Sequence, residues 1–78
     1  MADWVYEMQL PNDVLADAEM AAYRNLAVET WRTAAEAAGG HPGDPVVALV
    51  DADPAAVRAD PITGEMPTRI WRVAGPVE

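Results

Sequence analysis

No Gly or Pro interrupts the chain between Pro11 and Gly39. The stretch between them is rich in Ala, Leu, Met, Glu and Arg, residues of high intrinsic helix preference. Asn12 or Asp13 offers a side-chain acceptor for the free N–H groups of a first turn. Asp13, Asp17 and Glu19 add negative charge at the positive end of the helix dipole. Gly39-Gly40-His41-Pro42-Gly43 then supplies a left-handed cap and a breaker. One helix ending at Ala38 is predicted, about 26 residues and roughly 39 Å long.

Wound at about 100° per residue, this helix is amphipathic. Leu15, Met20, Ala22, Tyr23, Leu26, Ala27, Trp31, Ala34, Ala37 and Ala38 fall on one broad apolar arc. Asp17, Arg24, Asn25, Glu29, Arg32 and Glu36 fall opposite. Glu19 is the acid that lies inside the apolar arc.

The flanks read as strands. In residues 3–10 Trp4, Tyr6, Met8 and Leu10 alternate with Val5, Glu7 and Gln9, the period of a half-buried strand that Pro11 ends. Residues 46–51 (Val-Val-Ala-Leu-Val-Asp) are apolar on both faces, as in a central strand. Residues 68–73 form a third strand. Between these two, Asp53-Pro54 suits the start of a short helical turn and Asp60-Pro61-Ile62-Thr63-Gly64 a tight turn. Whether residues 54–60 are helix or strand is left open by the pattern. The expected fold is α+β: a β-α-β-β two-layer arrangement, one long amphipathic helix on a small, mostly antiparallel sheet.

At 78 residues the chain has room for a single small domain, residues 1–78. Hydrophobic residues make up 51%, a share that supports a folded core rather than a disordered acidic tail. The core is thin at this size, and without Cys no disulfide reinforces it.

A geometric imbalance follows. Strands of 6–8 residues span about 20–27 Å, so a helix of roughly 39 Å overhangs them. Its apolar arc continues into the second half, where an uncovered Trp would expose a patch that monomers rarely tolerate. Ile70 and Trp71 also point to opposite sides of their strand. Homodimerisation through Tyr23, Ala27, Trp31, Ala34, Ala38 and Trp71 is the expectation, most simply about a two-fold axis.

Chemistry is constrained by what is missing. Ser, Cys and Lys are absent, which leaves Thr, Tyr and carboxylates as the only side-chain nucleophiles. The lone His41 sits in a Gly-Pro loop. The glycines around it precede a strand and carry no Lys, unlike a phosphate-binding loop. Asp51-Ala52-Asp53 resembles the start of a carboxylate metal loop but continues with Pro54 and Ala55, and Asp60 and Glu65 would have to fold back to complete it. Arg69-Ile70-Trp71-Arg72 is the one basic and aromatic cluster. Thirteen acids against five Arg give a net charge of −8, which repels phosphate backbones and anionic membranes.

The functional expectation is a small acidic, non-enzymatic protein–protein interaction module. It would be self-associating through the helix or sheet face, with room for a second protein partner, and would use no cofactor, metal, nucleic acid or membrane. Two alternatives stand beside it: an acidic inhibitor that mimics nucleic acid, and a carboxylate metal-binding protein using Asp51, Asp53 and Asp60. No basic segment followed by an apolar one opens the chain, and the longest apolar run is Val46 to Val50, which places the protein in the cytoplasm. Arg without Lys and abundant Ala match the coding bias of a GC-rich genome, and so an actinobacterial or phage accessory protein.

Overall fold

The computed structural model describes residues 2–10, 15–55, 57–59, 61–64, 66 and 68–78. Its elements run β1 (Ala2–Gln9), α1 (Asp17–Ala37), β2 (Val46–Asp51) and β3 (Arg69–Val77). The sheet order is β1-β3-β2, with β3 antiparallel to both neighbours. β1 and β2 are therefore parallel to each other, with β3 between them. The expected α+β fold of β-α-β-β order is what forms, with α1 packed on one face of the sheet.

Helix α1 starts later than the sequence pattern suggests. Asn12 and Asp13, the expected caps, lie outside the described residues. The N-cap position is Ala16, which has no side-chain acceptor. Glu19 is exposed rather than in the apolar layer, and its Oε1 accepts the Ala16 N–H at 3.3 Å, a weak half of a capping box. The other end matches the prediction. Gly39 takes φ +84°, its N–H donates to the Glu36 carbonyl, and the Gly40 N–H donates to that of Ala35. These two bonds are the Schellman pattern.

The expected overhang does not exist. At 21 residues α1 rises about 31 Å, and the nine residues of β3 extend about 30 Å. The helix is shorter than expected and β3 runs four residues past Val73, so the layers match in length.

The rotation of the helix also differs from the predicted arc. Its buried row is Ala27, Trp31 and Ala35, flanked by half-buried Met20, Tyr23 and Val28. Trp31 is 1% exposed, and its Nε1–H donates to the Trp4 carbonyl at 3.1 Å. Small Ala side chains one turn either side of the indole let the backbone approach the sheet. Ala27 and Trp31 are thus sealed in the core of their own chain with Val73 and Val77, and neither is on a surface that a partner reaches. Of the other residues expected at an interface, Tyr23 and Trp71 are half-buried, while Ala34 and Ala38 are exposed. An Ala-rich arc is too uniform to fix its own rotation; the single large indole does so. Trp4 and Trp71 pack against the same cluster, which joins all three indoles in one core.

The length of β3 depends on a bulge. Pro42 bridges Val77, and Val46 pairs with Ala74, so Gly43, Asp44 and Pro45 face only Gly75 and Pro76. One extra residue on that side is a β-bulge. Pro76 accepts from the Gly43 N–H at 2.9 Å and, having no N–H, returns no bond. A Pro in a central strand is tolerated there because the ladder is already broken. Gly75 has to be small: a Cβ on it would meet Pro45 Cα at 2.8 Å and Trp31 Cζ2 at 3.1 Å.

On the face away from α1, the link between β2 and β3 straps one end of the sheet. Gln9 Nε2 donates to the Arg58 carbonyl at 2.6 Å, and the Arg58 N–H donates to Gln9 Oε1 at 2.9 Å. Ile70 on this face is therefore only 8% exposed, not the open apolar group the alternation suggested. Pro54 and Ala55 form a turn held by Asp53 Oδ1, which accepts the Ala55 N–H at 2.9 Å. Pro61 to Thr63 form another, with Gly64 at φ +75°.

Candidate functional site

The strand with the most apolar sequence lies at an edge. Val46 to Val50 carry no polar side chain, the composition of a strand flanked on both sides, yet among the described residues β2 pairs with β3 alone. The central position belongs instead to β3, which contains two Arg. The sequence expectation for β2 is thus corrected by the topology: the return of the chain between β1 and β2 pushes the greasiest strand outward.

Register fixes which backbone groups are open. The Ala52 N–H donates to the Thr68 carbonyl at 2.8 Å, so residue 52 faces β3. In an antiparallel ladder the residues alternate, so Val50, Ala48 and Val46 face β3 as well. Val47, Leu49 and Asp51 direct their N–H and C=O groups away from the sheet.

The side chains of β2 are incompletely covered on both faces. Helix α1 lies over β1 and β3 and makes little contact with β2. Val47 and Leu49, on the helix side, are half-buried. On the other side Val46 is 73% exposed. Val46 continues a row that crosses the sheet through Ala74 to Val5, itself 51% exposed, beyond the reach of the strap. The next row, Glu7–Arg72–Ala48, is charged.

The other edge is blunter. β1 places Asp3, Glu7 and Gln9 on its outer face, and Trp4, Tyr6 and Met8 beneath the helix. Charges on an edge strand discourage pairing with another chain. β2 carries no charge from Val46 to Val50. Its devices are at its ends: the Pro45 bulge and Asp44 before it, Asp51 as its last residue and Asp53 just beyond.

The remaining sequence candidates are dispersed. Glu7, Asp51 and Asp53 line a cleft of about 200 Å³ with Gln9, Val57 and Ile70. Among the described residues no three His, Asp or Glu side chains are arranged to hold a metal ion. Asp60 and Glu65 lie outside the described residues. His41 is exposed near Arg32 and Glu36 and exchanges backbone hydrogen bonds with Glu78, at 2.6 and 3.1 Å. No helix among the described residues is long and apolar enough to cross a membrane. On the outer flank of α1, Leu26, Thr30, Ala34 and Ala37 line a shallow apolar groove, with Leu26 54% exposed.

No protein-family model, curated protein or solved structure matches this chain. What sequence reasoning missed is the β2 edge. The only local signal is the apolar run itself, which pattern alone assigns to a buried strand.

Proposed function

We propose that this chain is a small protein-interaction module without catalytic activity, and that it docks other proteins through edge strand β2. One observation carries the reading: a five-residue apolar run, Val46–Val50, stands at an open sheet edge that the helix leaves nearly uncovered. Extended segments bind such edges by adding a strand. Main-chain hydrogen bonds supply affinity, and the alternating side chains supply selectivity. Absence of Ser, Cys and Lys supports a non-enzymatic role. A setting in the cytoplasm, as an accessory protein of a GC-rich actinobacterial or phage genome, belongs to the same proposal and rests on residue usage alone.

Retention of native-cell proteins on the immobilised chain tests this. A protein held by the wild type should be lost with Ala48→Lys, which places a charge on the edge at an exposed position. It should be kept with Ala34→Glu, on the outer helix groove. Near-ultraviolet circular dichroism checks that both variants keep the indole core. Loss with Ala34→Glu and retention with Ala48→Lys would move the docking surface to the helix and overturn the proposal.

A further inference from the structure

Building on the β2 docking proposal, we infer that the segment received at this edge is an extended strand of a different protein, five to seven residues long, with an apolar middle and Lys or Arg at both ends. The open side of β2 offers three consecutive ladder positions, Val47, Leu49 and Asp51. Both faces beside it are apolar: Val47 and Leu49 toward the helix, Val46, Ala48 and Val50 away from it. An added strand therefore meets hydrophobic neighbours above and below the sheet, as a central strand does.

Charge selects the ends. Asp44 precedes β2, Asp51 ends it and Asp53 follows; Arg69 pairs with Asp51 across the strands. The whole chain adds a field of net charge −8. A cationic residue at each end of the incoming strand would lie beside these carboxylates.

The same acids argue against a second copy. In a two-fold antiparallel pairing the open residues must face one another. An axis at Leu49 sets Pro45, next to Asp44, opposite Asp53 of the other copy. An axis at Ala48 sets Asp44 opposite Ala52, between Asp51 and Asp53. Either way carboxylates meet at both ends of the junction, and like charges facing across strands destabilise the pair.

The test uses the full chain and two synthetic peptides, Lys-Val-Thr-Val-Thr-Val-Lys and Glu-Val-Thr-Val-Thr-Val-Glu, followed by amide NMR and hydrogen exchange. The Lys-flanked peptide should slow exchange at Val47 and Leu49 and bind about tenfold more tightly at low salt. That gap should close on the order of 0.5 M salt, where screening is strong, and in the triple variant Asp44→Asn, Asp51→Asn, Asp53→Asn. Equal affinities for the two peptides, with the Val47 and Leu49 amides still protected, would overturn the basic ends and leave strand addition standing. No change at those amides with either peptide would overturn both. Sedimentation equilibrium showing a dimer at tens of micromolar, with the same amides already protected, would identify the occupant as a second copy and overturn the inference.

Discussion

The indole of Trp31 lies on Gly75, the position of β3 without a side chain. A Cβ there would stand 3.1 Å from Trp31 Cζ2 and 2.8 Å from Pro45 Cα. Helix, central strand and bulge therefore meet at one point, where the volume of a single methyl group is withheld. Gly75→Ala should destabilise the fold by about 1–3 kcal/mol through overpacking. Gly39→Ala has open space around it but a φ of +84°, and should cost about 1–2 kcal/mol through backbone conformation alone. Urea denaturation measures both. The two separate further by near-ultraviolet circular dichroism, where only Gly75→Ala should perturb the indole signal.

Two indoles offer a second contrast. Trp31 Nε1–H reaches the Trp4 carbonyl, whereas Trp71 Nε1–H is enclosed with no acceptor among the described residues. Trp31→Phe removes a hydrogen bond and core volume, and an unmade buried bond costs about 1–3 kcal/mol. Trp71→Phe removes a donor that has no partner. It should therefore be the milder substitution by at least about 1 kcal/mol, as thermal or urea unfolding would show.

Gln9 and Arg58 hold the strap by a reciprocal pair of hydrogen bonds. Gln9 is exposed, so Gln9→Ala should lower global stability by less than about 1.5 kcal/mol. Its larger effect is local. Loss of the clasp should raise the population of the open strap, read as faster tryptic cleavage after Arg58. Unchanged cleavage would mean that Ile70 and Val57 hold the strap without Gln9.

Acidification should reveal the β2 edge. The pI is near 4.3, and there the charge that keeps copies apart is neutralised. Aggregation is expected as the pH approaches that value, by pairing of open edges. Val46→Lys, at a position 73% exposed, should suppress this while changing stability by no more than about 0.5 kcal/mol. Light scattering across the pH range follows the effect. An unaltered profile would place the sticky surface elsewhere, with the Leu26–Ala34 groove next in line.

Local pattern was enough to set the elements and their order. Trp4, Tyr6 and Met8 alternate because one face of β1 is buried, and the Gly39-Gly40 pair stops the helix because only a left-handed residue closes its last turn. Both signals are local, and both hold. Tertiary structure decided what local pattern leaves undetermined. The rotation of α1 followed from Trp31 finding the space above Gly75, since Ala residues on either side of the arc bury equally well. β3 passed through Gly75 and Pro76 because the Asp44–Pro45 bulge across from them removes the need for a Pro N–H. Strand order, finally, placed Val46–Val50 at the rim: apolarity reports that a strand should have neighbours on both sides, and only the topology shows that its own chain supplies one.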